Sequence, residues 1–481
     1  MTIRIDGGIV VGWSGEHHEL IPEGSVLIDG DTISYVGTDR AKQADRVIDA
    51  SGKLVCPGFI NLHVHSQLNI GDYLITDATK KDYMSANYFV FGAPVKEKAA
   101  PPPPENIAIG RKYALFSALK NGSTTILDPG SGPGGLDDYV QIVGEIGARV
   151  FFSPSYRSSD IFTDSEGRHY YEDREDRGRP GLQTALDFIR KYHGAKNGCL
   201  QGILNPGQAE TCEPSLLKET AAAAKELGVG IHIHAAANLR EFTRIVYNYR
   251  KPVIEYLADT GILKPGTVLG HNIFIVGNSR VDYPCGDELK ILAESGASVG
   301  HCPYKYNKMA MALESFDRFV DAGVNVGLGT DTYPLDIISE LRYTSLISRL
   351  VDRNYFGGRP QRVFNAATIW GAKALGRDDL GRLAPGKKAD IVIINQRSTR
   401  YGPVRDPITA LVEYGSGTDV ETVLVNGEIV IEAGHSTRID ENEIYARADA
   451  VAQRAWDNWP KRDWAGRSVE EIIPPAFPTR S

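Results

Sequence analysis

Pro57-Gly58-Phe59-Ile60-Asn61-Leu62-His63-Val64-His65 is a short apolar run that leaves a Pro-Gly turn and ends in two histidines one residue apart. On a β-strand, residues i and i+2 face the same side, so this spacing projects both imidazoles together. Two neutral imidazoles on one face suit a borderline divalent cation such as zinc. Solvent-facing strand histidines would give the same pattern, so the rest of the chain has to decide.

Downstream, short apolar runs alternate with helical stretches. The runs are 123–128, 149–153, 200–204, 229–234, 266–271, 297–301 and 324–331, with amphipathic helices such as 215–227 and 286–295 between them. With the opening run they make eight strand–helix units, which predicts an α/β fold, a (β/α)8 TIM barrel, over 57–382. Upstream, residues 1–56 alternate like short antiparallel strands, and the same texture returns at 389–394 and 423–430. A small β-sandwich domain built from both termini, 1–56 with 383–440, is therefore expected. Residues 441–481 form a C-terminal helix and tail carrying Trp456, Trp459 and Trp464. Such rings need a surface to cover; a subunit interface is the preferred reading, ahead of docking on the chain's own barrel.

Two insertions follow barrel strands. Residues 66–104 are rich in aromatics, Tyr88 and Phe91 among them, and end in four prolines. Residues 157–181 are dense in charge and tyrosine. Loops after barrel strands lie at the catalytic face, so both are candidate lids.

Composition narrows the class. The 481 residues carry a net charge of −8, which argues against a nucleic-acid surface. There is no apolar run of membrane-spanning length and no basic leader, so a cytoplasmic protein without membrane contact is expected. Five widely spaced cysteines without a CxxC pair read as free, buried thiols.

The strand ends then supply what the opening pair needs. His234 closes the fifth strand, His271 the sixth, His301 the seventh and Asp331 the eighth. His63, His65, His234 and Asp331 are expected to ligate one divalent metal ion, Zn2+ first, with Fe2+, Co2+ or Mn2+ accepted by the same donors. Asp331 would also move the proton of an attacking water, and His271 would polarise the substrate or hold the nucleophile. His232 shares the face of His234 and reads as packing. His17, His18, His169, His193 and His435 read as surface residues, and Lys305 as a solvated lysine.

This set resembles the amidohydrolase superfamily, in its nucleobase deaminase and triazine hydrolase branch. The resemblance runs through Val55-Cys56-Pro57-Gly58-Phe59-Ile60-Asn61 and the HxH pair, Asn121-Gly122-Ser123-Thr124-Thr125, His301-Cys302-Pro303, Gly329-Thr330-Asp331 and 383–391. It implies hydrolysis at a carbon bonded to nitrogen or another leaving group. The fourth strand has no lysine for a carboxylated bridge, so one metal is favoured.

Departures fall on the substrate side. The branch's deaminases have a glutamate three residues after the fifth-strand histidine, where this chain has Ala237. Glycine stands after Pro206, and the usual Ser-Asn pair after His301-Cys302-Pro303 is replaced within Tyr304-Lys305-Tyr306-Asn307. A site without the ring-protonating acid suits carbonyl carbon, so a urea-, carbamate- or amide-like small molecule is the first expectation, in the manner of phenylurea and molinate hydrolases. An aminohydrolase acting on a purine, pyrimidine or triazine ring with another acid, Glu210 or Glu241, is the second. A non-catalytic scaffold is the third, disfavoured by the complete ligand set. His301, Tyr304, Tyr306, Asn307, Gln208, Tyr88 and Phe91 are the expected substrate contacts, and a homo-oligomer the expected assembly.

Overall fold

The computed structural model describes residues 1–41, 43–66, 95–98, 103–472 and 474–478, and for 175–177 the backbone alone. Tyr88 and Phe91 lie outside the described residues, as does most of the first insertion.

The N-terminal alternation forms β1 (Thr2–Trp13), β2 (His18–Asp29), β3 (Thr32–Gly37), β4 (Arg46–Asp49) and β5 (Leu54–Pro57). After a one-residue break comes β6 (Phe59–Asn61), the first barrel strand. It is followed by β7 (Ser123–Leu127), β8 (Arg149–Phe152), the hairpin β9 (Ser159–Thr163) and β10 (His169–Asp173), then β11 (Leu200–Leu204). The barrel continues with β12 (Gly230–Ala235), β13 (Thr267–His271), β14 (Ser298–His301) and β15 (Asn325–Leu328). The chain ends with β16 (Ile391–Ile394), β17 (Val420–Val425), β18 (Glu428–Glu432) and β19 (His435–Ser436).

Eight strands pair in parallel in the order β6-β7-β8-β11-β12-β13-β14-β15. Leu62 N donates to Leu328 O at 2.8 Å and a parallel bridge joins Val64 to Asp331, which closes the circle between first and last strands. This is the expected TIM barrel. The termini form one hydrogen-bonded mixed sheet of nine strands, β3-β2-β1-β5-β16-β17-β18-β19 with β4 on β1. It has its own core of Ile3, Ile5, Val10, Val26, Ile28, Ile391 and Ile393. β5 and β16 pair antiparallel from Leu54 to Pro57, so the sheet delivers the chain directly into β6.

The tail differs from its preferred reading. The helix Glu441–Asp457 lies against the helix Pro104–Lys120, burying Ala448 and Val451 on Ile109, and Trp459 is itself buried. The apolar face found a surface within its own chain. The charged insertion after β8 is also ordered: β9 and β10 pair antiparallel, and the Arg244 guanidinium lies 3.7 Å from the Tyr171 ring centroid. His18 is packed between Trp13 and Phe364 rather than exposed, with its pKa lowered to about 4 by burial. His169 is half-buried, His193 is exposed as expected, and Cys285 alone among the five cysteines is exposed. Among the described residues no helix is long and apolar enough to cross a membrane.

Candidate metal centre and active site

His63 and His65 stand just past β6, where the strand continues as an irregular extension. Val64 N donates to Leu127 O, His65 N to Asp331 O, and Asp331 N to His63 O, all between 2.8 and 2.9 Å. The backbone of the histidine pair is thus knitted to its neighbours on both sides. Asn61 adds a tether: its carboxamide oxygen accepts from Thr330 N at 3.1 Å and its amide donates to Thr330 Oγ1 at 2.9 Å. That fixes the residue before Asp331 to the strand that carries the histidines. Two glycines make room for the crowding. A Cβ on Gly329 would lie 2.7 Å from His63 Cβ, and one on Gly270 3.0 Å from the His63 ring.

His271 and Asp331 sit at positive φ, +81° and +64°, as do Ala236 at +51° and Asn272 at +54°. For non-glycine residues this backbone costs about 1–3 kcal/mol each and collects at functional sites. Here it turns the chain at three strand ends so that side chains aim inward rather than continuing the alternation.

The five side chains converge. His63 Nε2 lies 3.2 Å from His65 Nε2, which lies 3.0 Å from His234 Nε2. Asp331 places one oxygen 3.7 Å from His65 Nε2 and the other 3.7 Å from His271 Nε2. His234 Nδ1 donates to Gly207 O at 2.8 Å, which leaves the lone pair on Nε2 facing the cluster. His63 Nδ1 meets His232 Nε2 at 2.9 Å, so His232 orients a neighbour, as its packing role implies. Burial pushes the His65 pKa down to about 3 and that of His234 down to about 4, and His63 and His271 fall well below the ordinary value for the same reason. All four are neutral near pH 7, the form that ligates.

These residues fit a divalent cation. Among the described residues, neither Asp331 oxygen and neither His271 nitrogen has a hydrogen-bond partner, although all are buried. Buried orphan atoms of this kind cost about 1–3 kcal/mol each, and a cation ligated here would satisfy several together. Tetrahedral zinc bound at about 2.1 Å sets its nitrogens roughly 3.4 Å apart, close to the spacings found. The donor groups His63–His234–His271, His63–His65–Asp331 and His271–Cys302–Asp331 each lie within 4.8 Å. Burial raises the Asp331 pKa, while the charges of Lys305 and His234 pull it back.

The other expected contacts divide. Tyr306 is buried with its ring 4.9 Å from that of His271. Gln208 bridges to His234 through the backbone, and its carboxamide oxygen is buried without a partner among the described residues. His301 is buried, with its pKa lowered to about 3 by burial. Tyr304 packs on Tyr343 at 5.0 Å. Asn307 lines a different cleft of about 280 Å³ walled by Ile273, Met311, Ile347 and Leu350, whose lining includes no residue of the cluster. Lys305 is not solvated as expected: it is 3% exposed and donates to Thr332 Oγ1 at 2.8 Å.

The two acids in reserve behave differently. Glu241 accepts from the amides of Ala236 and Ala237 at 2.8 and 2.7 Å and so braces the chain after β12. Glu210 is buried with neither oxygen hydrogen-bonded among the described residues, 4.0 Å from Arg240, and burial raises its pKa. Asn61 and Cys302 went unassigned in the sequence. So did Asp128, which holds Ser66 just past His65 at 2.5 Å and Tyr139 at 2.7 Å. Membership of the family motifs was the one signal for Asn61 and Cys302.

The model of the amidohydrolase family matches residues 54–430. A 5-methylthioadenosine/S-adenosylhomocysteine deaminase from Carboxydothermus hydrogenoformans is 30% identical over 435 residues, covering 89% of this chain and 93% of the relative. An adenosine deaminase from Xanthomonas campestris, solved with bound zinc, superposes with a TM-score of 0.79 at 20% identity, over 94% of this chain and 98% of its own. The zinc complex of atrazine chlorohydrolase from Arthrobacter aurescens TC1 gives a TM-score of 0.75 at 23% identity, over 94% and 100%. These two likenesses concern the fold. The chain belongs to the amidohydrolase family and is a hydrolase acting on carbon–nitrogen bonds other than peptide bonds.

Proposed function

We propose, from membership of the amidohydrolase family, that this protein is an aminohydrolase replacing an exocyclic amino group of a nitrogen heterocycle by oxygen. Aminopurine nucleosides, 5-methylthioadenosine and 5'-deoxyadenosine among them, are the first substrates to try, because curated relatives are named for them. The observation that carries the chemistry is the buried Asp331 carboxylate, unpartnered among the described residues and facing His65 and His271 at 3.7 Å. The reading assigns His63, His65, His234 and Asp331 as ligands of one divalent ion, zinc first. It takes residues 57–382 as the catalytic unit, 1–56 with 383–440 as the accessory sheet, and 441–481 as the tail.

A cation held there supplies Lewis acidity and lowers the pKa of a bound water. Asp331 accepts the proton that the attacking water gives up and returns it to the leaving nitrogen. His271 stands across from the second Asp331 oxygen and orients the attacked carbon's polar substituent. Tyr306 keeps the His271 ring in place by packing on it.

One observation keeps the urea-, carbamate- or amide-cleaving reading as the second. Ala237 offers no acid, and Glu241 is committed to backbone amides. A mass-spectrometric turnover screen of zinc-loaded protein, with aminopurine nucleosides, aminotriazines, aryl ureas and thiocarbamates, separates the two. Release of ammonia with retention of the ring supports the aminohydrolase. Cleavage of ureas into amine and acid, with no ring deamination, overturns it in favour of the second reading.

A further inference from the structure

A divalent ion ligated by His63, His65, His234 and Asp331 has a full tetrahedral shell, yet it does not account for every unpartnered atom of the cluster. Neither nitrogen of His271 has a hydrogen-bond partner among the described residues, and neither has either oxygen of Asp331, of which that ion needs one. The two oxygens meet different neighbours. One lies 3.7 Å from His65 Nε2 and the other 3.7 Å from His271 Nε2. A His271 nitrogen and the second Asp331 oxygen are thus left over as a pair of buried donors.

A third donor joins them. Cys302 follows directly on β14 and is 1% exposed. Its Sγ, one His271 nitrogen and one Asp331 oxygen all lie within 4.8 Å of one another. The thiol donates to Gly300 O over 3.8 Å, a weak bond that a metal–sulfur bond readily replaces. Gly329 leaves the sulfur room, since a Cβ there would lie 3.0 Å from it. Sulfur beside nitrogen and oxygen favours thiophilic ions over magnesium or calcium. Spacings of up to 4.8 Å exceed the roughly 3.4 Å between donors of tetrahedral zinc, so a larger thiophilic ion such as cadmium suits them better.

We propose that His271, Cys302 and the second oxygen of Asp331 form a further cation site, which takes one thiophilic divalent ion beside the catalytic one and inhibits the enzyme. The inference rests on the reading of Asp331 as proton carrier and as ligand of the first ion. A carboxylate bridging two ions through its two oxygens is an ordinary arrangement of two-metal sites. Here it is inhibitory, because the oxygen that would accept the water proton is taken and His271 is withdrawn from the substrate. As the metal–sulfur bond forms, the thiol gives its proton to solvent, and nothing is oxidised or reduced.

The test uses full-length protein loaded with one zinc ion per chain, with the exposed Cys285 replaced throughout (Cys285→Ser) so that it binds no added metal. Cadmium is then titrated in. Zinc and cadmium per chain are measured by mass spectrometry after gel filtration, together with the ultraviolet thiolate-to-cadmium charge-transfer band and turnover of the best substrate of the screen. One cadmium ion per chain should join the zinc without displacing it, the band should grow in step, and turnover should fall by about a hundredfold. Cys302→Ala should lose the band and need at least about tenfold more cadmium for the same fractional inhibition. Cys302→Ser, which keeps the size of the side chain, should do the same, so a folding fault in the alanine variant is not mistaken for a lost site. Cadmium replacing zinc one for one, no second ion bound, full turnover with cadmium bound, or an undiminished band in both variants would each overturn the proposal. Stoichiometry and band need no substrate, so they decide the site even if the aminohydrolase reading fails in the screen.

Discussion

Two buried charged constellations lie in the same barrel, and they are finished to different degrees. Where the barrel meets the terminal sheet, Arg149 and Asp390 pair through two bonds of 2.9 Å. The Arg149 guanidinium also donates to Gly198 O and Asn426 Oδ1, and Asp390 accepts from Asn426 N at 2.8 Å. At the opposite rim, Asp331 and His271 are as deeply buried, yet their side chains have no hydrogen bonds among the described residues. Both places would attract notice as buried charge. Only the second has donors and acceptors that the fold leaves unspent. Incomplete pairing, rather than burial, is what separates a site from a structural bolt in this molecule.

The contrast can be broken from either side. Asp331→Ala removes the proton carrier and a proposed ligand, and should cut turnover by at least about 10⁴-fold, or about 5 kcal/mol of transition-state stabilisation, in steady-state assays. Asp331→Asn in the metal-free protein should melt no lower than the parent, since the carboxylate has no hydrogen bonds to lose. At the other constellation the signs reverse. Arg149→Met strands the Asp390 carboxylate and should cost about 3–5 kcal/mol in denaturant unfolding, with kcat per folded molecule and zinc content unchanged.

A third buried carboxylate sharpens the scale between these extremes. Glu288 accepts from the amides of Ile254 and Val276 at 2.5 and 2.6 Å, and burial without a counter-charge pushes its pKa up to about 7. Its folded-state pKa lies above the unfolded one, so the folded protein binds the extra proton between them. Stability from this group is fully present below about pH 4.5 and is lost as pH rises to about 7, by up to ~3 kcal/mol. Unfolding midpoints of the parent between pH 5 and 8 should show this fall, and Glu288→Gln should flatten it. The smallest effect is expected at Ala237. Ala237→Glu should change kcat on the native substrate less than about threefold, because the reading has Asp331 carry both proton transfers; a gain above tenfold in steady-state assays would mean the acid is wanting.

Much of the architecture was legible in the sequence because strand ends carry their chemistry locally. The HxH pair, His234, His271 and Asp331 fall at the ends of apolar runs, and parallel barrel topology alone brings such ends together. Asp331 shows the limit: β15 stops at Leu328, and a positive φ turns the carboxylate inward. The contacts of Asn61 with Thr330, of His63 with His232 and of Lys305 with Thr332 join residues far apart in the chain, and no local spacing announces them. The burial of Lys305 ran against the usual behaviour of lysine. The tail misled for a related reason, since an apolar helix face does not reveal whether its cover belongs to its own chain. Substrate choice was the least legible part: the absence of an acid at Ala237 pointed toward carbonyl chemistry, whereas the relatives favour ring deamination.

The most direct test of the account is the mass of the products formed by zinc-loaded protein from an equimolar mixture of an aminopurine nucleoside and an aryl urea. The account predicts a nucleoside product about one mass unit heavier, with ammonia released and the urea untouched, and no such product from Asp331→Ala. An intact nucleoside beside a cleaved urea would contradict it.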